Sequence, residues 1–166
     1  DNVGQLQLAW SWGLDPGISQ TTPIVHDSVM YVANPGNVVQ ALHAATGDFI
    51  WEYRHEMDQR RRAAAQMRSL AIYQDLIILN TYDAHVVALD TQTGAVRWDT
   101  PVAPPGEEGY GFSSGPVIAD GVIVAGLRGC EVFREETCYI VGVDGATGDV
   151  LWRTSTVARP GERGGD

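Results

Sequence analysis

ALDTQTGAVRW, residues 88–98, occurs in varied form at 41–51 (ALHAATGDFIW) and at 142–152 (GVDGATGDVLW). Each copy is a small residue, an apolar residue, a few variable positions, Thr-Gly, three more residues and Trp. The Thr-Gly pairs are offset by 47 and then 54 residues. A glycine at 47, 94 and 148 supplies the positive φ that a tight turn needs. The Trp that follows has a ring large enough to pack against a neighbouring sheet. Before each copy lie short β-branched or alternating runs: TPIVHDSVMYVAN (22–34), SLAIYQDLIILNTYD (69–83) and SGPVIADGVIVAGL (114–127). Asp-Ser, Gln-Asp and Asp-Gly punctuate them as turns. A period near 50 residues with several strands per unit predicts an all-β chain of propeller blades. Three copies predict about three blades, preceded by an opening strand around LQLAWSWGL (6–14). That is a partial propeller within a single domain over 1–166, because closure takes about 4–8 blades. The only helical expectation is the stretch around 56–66, with a turn at Ala63-Ala64-Ala65-Gln66-Met67 inside a longer loop.

The 166 residues suffice for one domain with a real core. Eleven basic against 21 acidic residues give a formal charge of -10, which argues against a nucleic-acid partner. RHEMDQRRR (54–62) is a local basic cluster that reads as a solvated loop. No run of 18 apolar residues is present, so no membrane span is expected. DNVGQLQLAW lacks the basic-then-apolar pattern of a signal peptide, so any export signal is expected upstream. The chain has two cysteines, both in GLRGCEVFREETC (126–138), with Glu131 directly after the first. A disulfide clip, a metal site and an ordinary inter-strand loop are all compatible with that stretch, though zinc lacks further ligands at suitable spacing.

The repeated A-x-D-x-x-T-G-x-x-x-W pattern resembles the tryptophan-docking motif of the quinoprotein alcohol dehydrogenases. The resemblance covers nearly the whole chain, as the N-terminal part of their eight-bladed propeller. It implies pyrroloquinoline quinone (PQQ) on the propeller axis with Ca²⁺ or a lanthanide ion beside it. Met67-Arg68-Ser69-Leu70-Ala71 resembles the family's Asn-Arg-Gly-Leu-Ala, which implies Arg68 at the reactive carbonyl edge of the quinone. A guanidinium there polarises a carbonyl and stabilises the anion formed on reduction. Gly129-Cys130-Glu131 matches a Gly-Ala-Glu segment, which implies Glu131 as metal ligand; a hard cation suits carboxylate oxygen. Phe112-Ser113-Ser114-Gly115-Pro116 matches a Thr-containing segment, which implies a cofactor hydrogen bond from Ser113, with Ser114 a near substitute. Arg128, Gly129 and Cys130 are implied to line the cofactor plane. Gln20, in Gln20-Thr21-Thr22-Pro23, stands where many members carry Glu and can still hydrogen-bond the cofactor.

The chain departs from the family where many members carry two adjacent cysteines stacked on the quinone. Arg62 and Ala63 occupy those places. With Cys130 beside the implied metal ligand and Cys138 at the start of the next strand, the two are expected to form a disulfide that clamps the segment between them and fixes Glu131, two free buried thiols being the alternative; the disulfide would fit an oxidising periplasm. The reaction implied for the parent protein is oxidation of a small alcohol by hydride transfer to PQQ, with a cytochrome c-type electron acceptor. The general base, a further metal ligand and the tryptophan floor of the site are implied to lie beyond Asp166, so the chain alone is expected to be inactive. Asp83 and Asp144 read as structural and His85 as a surface residue. The competing reading is a non-catalytic propeller of the same superfamily acting as a scaffold or protein-binding module. Such a scaffold needs the docking repeats but has no need of Arg68, Ser113 and Glu131 together.

Overall fold

The computed structural model describes residues 2–103, 109–129, 139–158 and 161, apart from the side chains of residues 61, 63 and 64. Three four-stranded antiparallel sheets follow one another along the chain. The first blade is β1 (Ile24–His26), β2 (Val29–Asn34), β3 (Val38–His43) and β4 (Phe49–Arg54). The second is β5 (Ala71–Tyr73), β6 (Leu76–Asn80), β7 (His85–Asp90) and β8 (Val96–Pro101). The third is β9 (Val117–Ala119), β10 (Val122–Gly126), β11 (Tyr139–Asp144) and β12 (Val150–Ser155). Within each blade the strands pair in sequence order, an up-and-down pattern. The first hairpin of each blade turns where the sequence placed it, with positive φ at Asp27 and Ser28, at Gln74, and at Asp120 and Gly121.

Each repeat contributes the third strand, a turn and the fourth strand of its blade. Gly47, Gly94 and Gly148 have φ of 76°, 71° and 80°. The register slips by one residue at the same repeat position each time, between Ala41 and Leu42, Ala88 and Leu89, and Gly142 and Val143. A bulge of this kind bends a strand and re-aims its side chains. The Trp beside the bulge in the first two repeats leaves its own sheet and lies on the glycine turn of the next blade. A Cβ on Gly94 would stand 2.6 Å from the Trp51 ring, and one on Gly148 2.7 Å from Trp98. Glycine is therefore required at these turns twice over, by φ and by the ring it carries.

The core lies between the sheets. Tyr31, Val39 and Trp51 of the first blade meet Leu70, Ile77, Leu79 and Leu89 of the second. Leu76, Ile78, Val86 and Ala88 on the other face meet Ile123, Val141 and Val143 of the third. All five residues of β6 are consequently buried, because both faces of the middle blade are covered.

Two local expectations change. Residues 6–14 pair with no strand among the described residues; a 3₁₀ turn at Val3–Gln5 is followed by extended chain. The segment is held through side chains instead, with Trp10 Nε1 donating to Ala44 O (3.1 Å) and Trp12 Nε1 to Gln40 Oε1 (2.9 Å). The helix expected around 56–66 forms as α1 (Gln59–Ala64), but its turn lies earlier than the 63–67 stretch that suggested it. Asp58 caps it by accepting from Arg60 N, and Ala65 ends it in an extended conformation. The helix cannot reach Met67, because Met67 pairs with Ser19 in a parallel bridge and Ala65 O accepts from Gly36 N.

Candidate functional site

The first strand of each blade is entered from the rim at which its second strand ends. Gln20 lies before β1, Arg68 before β5, Ser113 and Ser114 before β9, and Arg128 and Gly129 after β10, so all share that rim. The segments carrying them touch in succession. The Ser19–Met67 bridge joins the first two. Ser69 presses on Gly115, where a Cβ would lie 2.8 Å from the Ser69 carbonyl oxygen. Arg128 N donates to Gly111 O at 2.9 Å, which joins the last two. Met67, Leu70 and Phe112 are buried and anchor the segments, whereas Gln20, Arg68, Ser113 and Ser114 are exposed. Buried anchors next to exposed polar groups give a rim whose backbone is fixed and whose donors face outward.

The second blade supports this rim with residues that the motif reading did not single out. Asn80, at the end of β6, donates from Nδ2 to Ser114 O (3.2 Å). Its Oδ1 is buried without a hydrogen-bond partner. Thr81 O accepts from Phe112 N at 3.2 Å. The Arg128 guanidinium stands over the Tyr82 ring, 4.2 Å from its centroid, in a cation–π contact. A sequence clue existed for Asn80: Asn34 occupies the matching place at the end of β2, and its Oδ1 is likewise buried and unpartnered.

Asp144 is structural, as read from sequence: its carboxylate accepts from the amides of Ala146 and Thr147 in the docking turn. Asp83 does more. It accepts from Thr81 Oγ1 (2.6 Å) and meets His55 Nε2 at 3.1 Å. Burial raises its pKa, but the His55 and Thr81 hydrogen bonds outweigh that and hold it down at about 2. His85, expected at the surface, is half buried and pairs with Asp99 at 2.6 Å. That hydrogen bond raises its pKa against the opposing effect of burial.

The family model for the β-propeller domain of PQQ-dependent glucose, ethanol and alcohol dehydrogenases matches residues 1–165. The chain belongs to this family. It is 34% identical to the quinohemoprotein alcohol dehydrogenase ADH-IIG of Pseudomonas putida, over 97% of the chain and 23% of that protein. It superposes on the quinohemoprotein alcohol dehydrogenase of Comamonas testosteroni with a TM-score of 0.85 and 27% identity, over 98% of the chain and 25% of that structure. A europium-containing methanol dehydrogenase matches with a TM-score of 0.83 and 25% identity, over 97% of the chain and 29% of that structure. The chain thus spans about a quarter of the length of the relatives it matches.

The donor set on the rim fits the family's acidic quinone. Arg68 and Arg128 are cationic, Gln20, Ser113 and Ser114 are neutral donors, and the orphaned Asn80 Oδ1 leaves a further polar atom beside them. Cys130, Glu131 and Cys138, and with them the predicted metal ligand and disulfide, lie outside the described residues. Among the described residues no group of three His, Cys, Asp or Glu side chains could hold a metal ion.

Proposed function

We propose that the chain supplies the first part of the cofactor site of an enzyme that oxidises a small alcohol with PQQ and a bound Ca²⁺ or lanthanide ion. The observation that carries this reading is the succession of contacts Ser19–Met67, Ser69–Gly115 and Gly111–Arg128, which sets Gln20, Arg68, Ser113, Ser114 and Arg128 side by side on one rim. When bound, PQQ supplies a quinone able to accept a hydride from the alcohol carbon. Arg68 donates hydrogen bonds to a carbonyl oxygen and stabilises negative charge on it. Ser113, with Ser114, and Gln20 hold carbonyl or carboxylate oxygens of the ligand, and Arg128 and Gly129 border its plane. Glu131 serves as the carboxylate ligand of the metal on its sequence match, and a Cys130–Cys138 disulfide holds the loop around it. The general base is assigned to no residue of this chain, and the chain alone is inactive. The enzyme works in the periplasm and passes electrons to a cytochrome c-type acceptor.

Titration with PQQ, with and without Ca²⁺ or La³⁺, followed by tryptophan fluorescence with circular dichroism as the folding control, tests the reading. Saturable binding that strengthens with metal is expected, weakened by Arg68→Ala and losing its metal dependence in Glu131→Ala. A folded protein that binds no PQQ under either condition would overturn it. Thiol titration of the unfolded, unreduced protein is expected to find no free group; two free groups would remove the disulfide.

A further inference from the structure

The first blade ends at His55, which is 4% exposed. Its ring is held on both sides, with Nδ1 3.1 Å from Tyr53 Oη and Nε2 3.1 Å from Asp83. Burial first, and then the charges of Asp99, Asp83 and Glu56, push the Tyr53 hydroxyl up to about 12. The His85–Asp99 pair lies alongside, with the two imidazole centroids 5.3 Å apart. From the loop carrying α1, Arg62 Nη2 reaches His55 O at 3.5 Å. A side chain from the end of one blade is thus locked into a turn of the next.

That turn, Thr81–Ala84, holds the third-blade side of the rim. Thr81 O accepts from Phe112 N, the residue before Ser113. Gly111 packs so close to the Tyr82 carbonyl that a Cβ there would lie 2.1 Å from its oxygen. Tyr82 also carries the Arg128 guanidinium. Asp83 sits between the two sides, bonded to Thr81 on its own turn and to His55 on the first blade.

We propose that His55 and Asp83 form a positioning pair: they fix the Thr81–Ala84 turn from the first blade and, through it, the Phe112–Ser114 segment and Arg128. This rests on the PQQ reading only for what the positioned residues bind. Losing a charge-assisted hydrogen bond from a buried turn releases whatever the turn holds. A purely structural role would instead loosen the whole seam.

Hydrogen–deuterium exchange of the protein separates these cases, comparing Asp83→Asn and His55→Phe with Asp90→Asn, a control in the docking turn of the same blade. Both positioning variants are expected to speed exchange across 109–115 by about tenfold while 139–144 keeps its wild-type rate. Their affinity for PQQ is expected to fall by a similar factor, whereas Asp90→Asn lowers the melting temperature and changes neither readout. Equal acceleration of 109–115 and 139–144, or no acceleration of 109–115, would overturn the proposal. Should Asp83→Asn not fold, His55→Phe, which keeps a ring in the pocket, decides with the same readouts. If the wild-type protein binds no PQQ, the functional reading fails while the exchange data still decide the positioning role.

Discussion

Trp51 and Trp152 end equivalent repeats and meet different fates. Trp51 is 7% exposed, lies on the Gly94 turn of the next blade, and donates from Nε1 to Thr91 O at 3.0 Å. Trp152 is 40% exposed and lies across its own sheet, where a Cβ on Gly142 would stand 2.1 Å from its ring. The Thr-Gly turns at Gly47, Gly94 and Gly148 carry Trp10, Trp51 and Trp98, whereas Trp152 lies on no turn glycine among the described residues. Docking is therefore a property of two repeats together. The motif carries the ring, and the following motif makes the surface that receives it. Trp98 shows an intermediate case: its ring is docked on Gly148, but its buried Nε1 has no hydrogen-bond partner.

The comparison breaks most visibly by removing the rings. Trp51→Ala should lower the unfolding free energy by about 3–5 kcal/mol, the usual range for a buried large aromatic. Trp152→Ala should change it by less than about 1 kcal/mol, with Trp98→Ala between the two, all read from denaturant melts. Equal losses at 51 and 152 would mean that docking on a neighbour contributes nothing. Gly94→Ala attacks the receiving surface instead, and should lose about 2–3 kcal/mol through a disfavoured φ and collision with the Trp51 ring. A loss in Gly94→Ala that persists unchanged in a Trp51→Ala background would assign the effect to the backbone alone.

Two further predictions concern the blade seam and depend on pH. Asp83 has its pKa depressed to about 2 in the folded state, so its stabilisation is present above the ordinary carboxylate value, about 4. It is lost as pH falls from about 4 to about 2, and amounts to roughly 2 kcal/mol. Melts from pH 5 to pH 2 should show a steeper acid limb for the wild-type protein than for Asp83→Asn. His85 is the opposite case. Its folded pKa is raised, so its contribution is complete below the ordinary imidazole value and declines as pH rises through the folded one. His85→Gln should remove a small decline in stability as pH rises above the ordinary imidazole range. An unchanged pH profile would show that the Asp99 pair does not couple to folding.

Much of this architecture was legible before any coordinates. The Thr-Gly spacing and the flanking strand runs located all three blades, and the positive φ at Gly47, Gly94 and Gly148 follows from the turn chemistry. Residues 6–14 misled because alternation of apolar and polar residues predicts an extended chain without saying whether a partner strand lies beside it. The polyalanine stretch at 63–65 suggested a helical turn by propensity, but Asp58 set the start and the Ser19–Met67 bridge set the end. On the rim, Arg68, Ser113 and Arg128 came from motif resemblance. Asn80, Tyr82 and His55 did not, because they support other residues and match no pattern of their own.

The sequence by itself determined the repeat, the short strands before each copy, the turn glycines and the residue types offered to a ligand, since each depends on chain-local stereochemistry and composition. Only the tertiary structure decided which tryptophan meets which turn, that both faces of β6 are buried, and that His55 of one blade locks Asp83 of the next. Those outcomes depend on surfaces separated by tens of residues, brought together by burial of apolar area between sheets, a force that has no direction along the chain.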